Sequence, residues 1–259
     1  MPVPRSYHCE ALTLNKYPFG EAGLLVTLFS RELGKVRAVA RGARRSASKL
    51  VGHLEPLTHV QLSMAHGRNL DYINQAQVIA NFDTLKADLG AVTKGLYVAE
   101  LVERFGAEAI PNQPLYSLAL EILRSISQHP DSDWPLRFFE VHLLRVSGLM
   151  PELYQCVECS QTLAPGQHRF SPSVGGTICL ACQSDMSHIR PLSLRALKVL
   201  RLLHRGPLED IIPMKADTAL SEELKSLTGG MVSYWLEREI RSKAFLDQLH
   251  RESETGVYT

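Results

Sequence analysis

Four cysteines constrain this chain more than any other feature. Cys156-Val157-Glu158-Cys159 and Cys179-Leu180-Ala181-Cys182 form the spacing C-x2-C-x19-C-x2-C. Each pair presents two thiolates from one tight turn. The nineteen residues between the pairs suffice for a β-hairpin, with strands expected at 168–171 and 175–178, that folds one turn onto the other. The arrangement predicts a tetrahedral Zn²⁺ site with Cys156, Cys159, Cys179 and Cys182 as ligands. Four sulfur ligands leave no open position for water, so the single ion is expected to be structural and not catalytic. The alternatives are a redox dithiol or four free thiols; a lone C-x-x-C suits redox chemistry, whereas two pairs at this distance suit a closed site. His168 and His188 lie near enough to substitute, but the cysteine set is complete without them. Cys9 reads as an ordinary core or surface residue of the first strand.

The N-terminal part of the chain has the period of two that marks strands with one buried face. Strands are expected at 7–14, 24–30, 35–41, 57–65 and 70–81, separated by Pro18, Gly20 and Gly23, by Gly34, by a basic loop with Gly52 and Pro56, and by a Gly67-Arg68-Asn69 turn. In the fourth strand Thr58, Val60, Leu62 and Met64 fit the buried face, with His59, Gln61 and Ser63 opposite. Five short strands in succession suggest a small closed barrel. An OB-fold is the five-stranded type that commonly binds nucleic acid; composition also allows an SH3-like barrel.

One stretch of this barrel is strongly cationic. From Gly34 to Lys49 the chain carries Lys35, Arg37, Arg41, Arg44, Arg45 and Lys49 and no acidic residue. Val36, Ala38 and Ala40 alternate with Arg37, Val39 and Arg41, so Arg37 and Arg41 should share the wet face. Gly42 then permits a bend into a loop of serines, alanines and cations. These six cations are the candidate residues for gripping a polyanion such as nucleic acid, with Arg68 as an addition; the competing reading is a solvated charged loop. The barrel aromatics Tyr7, Tyr17, Phe19, Phe29 and Tyr72 are few, and core packing is the expected role for each, so phosphate contact should outweigh base stacking.

Past Phe82 the period changes to that of helices. Asp83 or Thr84 can cap a helix in which Leu85, Leu89, Val92, Leu96, Ala99, Val102 and Phe105 form the apolar stripe. Further helices are expected at 115–127, 134–147, 194–204, 220–227 and 231–249, with a frayed tail at 251–259. The expected fold class is therefore α+β and multidomain: an N-terminal five-stranded OB-fold barrel over 1–82, then an all-helical domain over 83–259 interrupted by a four-cysteine zinc-finger module at 152–190. Charge divides the same way. Up to position 80 there are ten Lys and Arg against five Asp and Glu, a net of +5, and the totals of 28 and 27 leave 18 against 22, a net of −4, for the remainder.

Catalytic signatures are missing. The chain has no Walker or dinucleotide-binding glycine loop, no G-x-S-x-G elbow, no H-E-x-x-H and no deaminase pattern. The ten histidines follow no ligand or triad spacing, and His53, His59 and His66 read as solvent-facing or phosphate-side residues. No apolar run approaches the roughly 20 residues needed to span a bilayer, and MPVPRSYHCE lacks the apolar core of a signal peptide, so a cytoplasmic protein is expected.

These parts together resemble the bacterial recombination mediator family RecO. Glu21-Ala22-Gly23-Leu24-Leu25-Val26-Thr27-Leu28-Phe29-Ser30, continuing through Glu32-Leu33-Gly34-Lys35 to Ala40-Arg41-Gly42-Ala43-Arg44-Arg45, is similar to the family's second and third strands and basic loop. Phe138-Phe139-Glu140, then Leu143-Leu144, Gly148-Leu149 and Pro151 before Cys156, is similar to its helix entering the zinc motif. Arg241-Ser242-Lys243-Ala244-Phe245-Leu246 resembles its last helix, although the family often has a basic residue where Ala244 stands. The resemblance implies a non-enzymatic DNA repair factor, nucleoid-associated in the cytoplasm. Such a factor binds single- and double-stranded DNA, anneals complementary strands and, with RecR, helps load RecA onto DNA coated by single-stranded DNA-binding protein. Arg137, Arg145, Lys198 and Arg201 are candidates for receiving the acidic, hydrophobic tail of that coating protein. Two readings from other classes are a zinc-stabilised scaffold that binds only proteins and a metal-dependent nuclease.

Overall fold

The computed structural model describes residues 6–46, 48–182 and 189–236 of the 259-residue chain. Two compact units divide between Asp131 and Ser132. The change from strand to helix comes at 82/83, and the helices up to 131 belong to the same unit as the strands.

The first unit is built on a closed five-stranded barrel of order β1-β2-β3-β5-β4. Its strands are β1 (Ser6–Phe19), β2 (Gly23–Ser30), β3 (Gly34–Ala40), β4 (Thr58–Ala65) and β5 (Asp71–Ala80). Neighbouring strands are antiparallel except β3 and β5, which close the barrel in parallel through Ala38↔Asp71 and Val39↔Tyr72. Alternate residues point inward, and Cys9, Ala11, Val26, Leu28, Ala38, Ala40, Val60, Leu62, Met64 and Ile73 fill the interior. Each fully buried aliphatic side chain of this kind contributes about 1.5–3 kcal/mol. Burial also raises the Cys9 thiol to about 11. β1 continues past the expected end at 14, through a bulge between Thr13 and Asn15, to the pair Phe19↔Gly23.

The outer edge of β3 does not stay open. Lys35 N–H donates to Ala107 O at 3.2 Å, and Ala109 N–H donates to Lys35 O at 3.0 Å, so residues 107–110 cover it. Gly34, at φ +71°, lies under that segment, and a Cβ there would meet Ile110 O at 2.0 Å. Only glycine fits both the left-handed backbone and the close approach.

A four-residue helix, α1 (Leu50–His53), sits in the basic loop. Next come α2 (Asp83–Ala87), α3 (Leu89–Phe105) and α4 (Gln113–Gln128). The single helix expected from residue 83 is broken at Asp88, which is extended (φ −110°, ψ 129°) and caps α3 by accepting from Ala91 N–H at 2.7 Å. The break resets the apolar stripe. Leu89 and Leu96, expected inside, are 54% and 40% exposed, while Ala91, Val98, Leu101 and Val102 are buried.

His59 also departs from expectation. It is buried beside α4, its Nε2 2.7 Å from Glu10 Oε1 and 2.8 Å from the Tyr116 hydroxyl. Burial pulls its pKa below the ordinary histidine value, against the pull of the Glu10 carboxylate.

The second unit contains α5 (Trp134–Val146), the sheet strands β6 (His168–Ser171), β7 (Gly176–Ile178) and β8 (Arg190–Leu192), and α6 (Leu194–Arg205), α7 (Leu208–Ile211) and α8 (Thr218–Leu236). β6 and β7 form the expected hairpin, and β8 adds a third strand in the order β7-β6-β8. Phe138, Phe139, Val141, Leu143 and Leu144 of α5 are buried, and α5 packs against α6 and α8. Where two helices were expected around Thr228-Gly229-Gly230, α8 is continuous. The buried Arg137 donates to Thr228 Oγ1 at 2.9 Å and pairs with Glu140 at 3.1 Å, and the Thr228 hydroxyl donates in turn to Glu140. This network fastens α5 to the middle of α8. The part of the final helix expected beyond Leu236, the 241–246 segment, the tail and His188 lie outside the described residues.

Candidate nucleic-acid interface and metal centre

The basic loop is stitched to the barrel at several points. Ala43 is fully buried in the barrel core. Arg44 N–H donates to Ala22 O in the β1–β2 turn at 3.0 Å, Arg45 N–H to Gly42 O at 3.0 Å, and Ser48 N–H to Arg45 O at 2.9 Å. The loop that sequence reads as lacking order of its own is therefore anchored, while the side chains of Arg41, Arg44, Arg45 and Lys49 stay exposed. Among the described residues none of these four forms an ion pair with a carboxylate, in contrast to Arg37.

The six expected cations fall into two groups. Arg37 Nη2 is 2.6 Å from Glu108 Oε1, both side chains being more than half exposed. Lys35 is half-buried and its Nζ donates to Glu103 O at 2.8 Å. These two are engaged within the unit. Arg41 and Arg45, together with Arg68, line a cleft of about 520 Å³ whose wall also includes Phe19, Glu21, Leu70 and Tyr72. Arg44 is on the same loop, and Lys49, at the start of α1, faces a different depression with His8, His53 and Gln75. The cleft lies between the β1–β2 and β4–β5 turns, the position at which OB-folds take oligonucleotides.

The aromatics divide as well. Phe29 is buried, as expected, and Tyr7 is half-buried with its hydroxyl donating to Asp71 Oδ2 at 2.5 Å. Tyr17 and Phe19, however, are 52% and 45% exposed. Tyr72 is half-buried with the Arg41 guanidinium 3.7 Å from its ring centre. The missed exposure of Tyr17 and Phe19 follows from the missed end of β1: the strand is expected to stop at 14, with Pro18 as punctuation, but it continues to Phe19 as a wet strand end.

In the second unit the four cysteines converge, their sulfurs all within 4.8 Å of one another. Cys156 and Cys182 Sγ are 3.8 Å apart, Cys159 and Cys179 3.9 Å, and Cys179 and Cys182 3.5 Å. A tetrahedron with Zn–S bonds of about 2.3 Å has edges of about 3.8 Å, so the donor set fits such an ion in both element and spacing. The separations are far longer than the roughly 2.05 Å of a disulfide, and all five cysteines are free. Cys179 N–H donates to Cys156 Sγ at 3.3 Å. Burial raises the Cys156 thiol, but backbone N–H groups of Cys179, Cys159 and Glu158 outweigh it and bring the group down to about 6, while hydrogen bonds with Cys179, Cys159 and Cys156 hold the Cys182 thiol up at about 12.

The two turns are held by the sheet. Glu152 N–H donates to Gly175 O and accepts at its carbonyl from Thr177 N–H, at 2.8 and 2.9 Å, and Val157 N–H donates to Thr177 O at 3.0 Å. Gly176 is necessary for this approach, since a Cβ there would lie 2.6 Å from Glu152 O. Arg169 on β6 donates to the carbonyls of Cys179 and Cys182, securing the second turn. His168 turns elsewhere, its Nε2 2.8 Å from Ala164 O.

The candidates for an acidic tail are dispersed. Arg137 is 7% exposed and committed to Glu140 and Thr228, which removes it from any surface. Arg201 Nε donates to Leu153 O at 2.8 Å, while Arg145 and Lys198 are exposed. Among the described residues no helix is long and apolar enough to cross a membrane.

Comparison with known proteins agrees with this geometry. Residues 4–82 match the family described as Recombination protein O N terminal, and residues 86–244 match Recombination protein O C terminal. The DNA repair protein RecO of Roseiflexus sp. (strain RS-1) is 38% identical over 252 residues, covering 97% of this chain and 89% of the relative. The proteins of that name from Desulforudis audaxviator and Dehalococcoides mccartyi (strain ATCC BAA-2266 / KCTC 15142 / 195) are 35% and 31% identical, over 95% and 97% of this chain and 98% and 99% of theirs. A five-stranded OB-like barrel, a following helical part with a four-cysteine cluster able to hold a metal ion, and matches to both halves of one family place this chain among the RecO DNA repair proteins.

Proposed function

We propose that the chain is a non-enzymatic recombination mediator that binds single- and double-stranded DNA, anneals complementary strands and, with RecR, loads RecA onto DNA coated by single-stranded DNA-binding protein. The observation that carries this reading is the set of exposed cations Arg41, Arg44, Arg45 and Lys49, without carboxylate partners among the described residues, on a loop anchored beside the oligonucleotide cleft of an OB-like barrel. Cations on a fixed rim displace condensed counterions from phosphates and give salt-dependent affinity with little sequence preference. A strand held by its backbone keeps its pairing edges free, which annealing requires. Lys35 and Arg37 contribute less, because Glu103 O and Glu108 engage them.

In the same reading, residues 1–82 form the DNA-binding domain, and residues 152–190 form a zinc module within the helical domain 83–259. Cys156, Cys159, Cys179 and Cys182 hold one structural Zn²⁺, which ties the two turns together and supplies no reaction. Work on DNA implies a cytoplasmic, nucleoid-associated protein. Arg145 and Lys198 are the exposed cations left for the tail of the strand-coating protein.

One assay tests the function. Two complementary labelled single strands are mixed with the protein, and both duplex formation and strand length are followed in the presence of Mg²⁺. Accelerated duplex formation at constant strand length, lost when Arg41, Arg44 and Arg45 are neutralised, is expected. A shortened strand would make the protein a nuclease, and no acceleration with no DNA affinity would make it a protein-only scaffold.

A further inference from the structure

The cleft between the β1–β2 and β4–β5 turns has more in it than charge. An isolated phosphate needs only cations or N–H donors, yet this cleft is walled by Phe19, nearly half exposed, and by Tyr72 beneath the Arg41 guanidinium. Phe19 is not a loose terminus. It is the last residue of β1 and pairs with Gly23 across the turn, so its backbone is fixed by the barrel ladder. Tyr72 is fixed likewise by its pairings with Val39 and Ala65. The Arg41 guanidinium carbon lies 3.7 Å from the centre of the Tyr72 ring, a cation–π contact that fixes where the planar group sits. Two planar surfaces thus border a cleft of about 520 Å³, within the range of small-ligand sites. Arg45 and Arg68 also line it, with Glu21 as the acidic lining residue.

We propose that this cleft holds an unpaired nucleobase, stacked against Phe19 and the Arg41–Tyr72 pair, so that the barrel selects single-stranded over duplex DNA. The inference rests on the DNA-binding reading above and deepens it. Every base has a π-face, so stacking on an aromatic ring or a guanidinium adds affinity without reading sequence. A base in a duplex is already paired and stacked, and reaching this cleft would require its extrusion at the cost of both. The charged loop then serves either form of DNA, while the cleft distinguishes them. An annealing site of this kind weakens its hold on a base as that base pairs, which releases the product.

The test compares two 20-mers with the same number of phosphates, one of thymidines and one of abasic deoxyribose, on the full chain. The thymidine strand is expected to bind about tenfold or more tighter, with the same salt slope. Phe19→Ala should remove that advantage by weakening only the thymidine strand. Phe19→Trp should restore it and show quenched indole fluorescence with the thymidine strand but not with a duplex. Arg44→Gln with Arg45→Gln should weaken both strands alike. Equal binding of the two strands by the unsubstituted protein, or a preference for thymidine that survives Phe19→Ala unchanged, overturns the base site and leaves phosphate binding intact. Binding of neither strand overturns the DNA-binding reading together with it.

Discussion

The Arg41 guanidinium lies 3.7 Å from the centre of the Tyr72 ring, joining the first cation of the basic loop to the strand that closes the barrel. A flexible arginine is thereby given a fixed direction at modest entropic cost. The barrel contributes position and the loop contributes charge, and most of the account depends on their being joined.

The ion pair between Arg37 and Glu108 offers a gain-of-affinity prediction. Both groups are more than half exposed, so the pair contributes less than about 1 kcal/mol to stability. Glu108→Gln frees Arg37 and should strengthen binding of single-stranded DNA, steepening its salt dependence by up to about one ion, with an unchanged melting temperature. Arg37→Gln should weaken binding less than Arg44→Gln does. Fluorescence anisotropy over a salt series reads all three.

The cysteine cluster predicts one zinc per chain by elemental analysis. Cys156→Ser should abolish it, and Cys9→Ser, in the barrel core, should leave it unchanged. Gly176→Ala should also reduce zinc retention under chelator challenge, because its Cβ would push Glu152 away and open the strand contact behind the first turn. Chelation should lower the melting temperature, since the binding energy of a closed thiolate site is folding energy.

Arg137 predicts a stability effect without a binding effect. It and Glu140 are buried together with Thr228, and removing one partner leaves a buried charge. Arg137→Ala should cost about 3–5 kcal/mol in denaturant unfolding, and Glu140→Gln a similar amount. In a chain still folded, neither should change the affinity of an acidic tail peptide, whereas Lys198→Glu should lower it.

His59 gives the first unit a pH dependence. Its folded pKa is pulled below the ordinary value near 6.5, chiefly by burial, with Arg124 acting in the same direction and Glu10 opposing. The neutral form is therefore the folded form's preference. Its stabilising contribution is complete above about pH 6.5 and is lost as pH falls toward the lowered folded value, where the unfolded chain binds a proton that the native one resists. The difference in unfolding free energy between the unsubstituted chain and His59→Gln should shrink from pH 7.5 to pH 5. A constant difference would contradict this assignment.

Much of the fold was legible because its signals were local. The alternation of Val36, Ala38 and Ala40 with charged neighbours marked β3, and Cys156 to Cys182 marked a convergence of turns that the sheet then provides. What escaped was set by tertiary context. Asp88 is a helix breaker only because its extended backbone and cap restart α3 there, and Gly229 and Gly230 are tolerated in α8 because Thr228 is locked to Arg137 and Glu140. His59 follows the strand's outward period, yet outward at that point means beneath α4, which no two-residue pattern can foretell. The basic loop was visible as charge, but its division into free and engaged cations depended on Glu103 and Glu108, far along the chain.

The most direct measurement is the salt dependence of DNA affinity for the full chain and for a variant carrying Arg41→Gln, Arg44→Gln and Arg45→Gln. These side chains are exposed, so the variant should melt within a few degrees of the parent. The account predicts markedly weaker binding, with a log–log salt slope shallower by about two for single strands and about three for duplex. An unchanged slope and affinity in a folded variant would contradict it and move the DNA site off this loop.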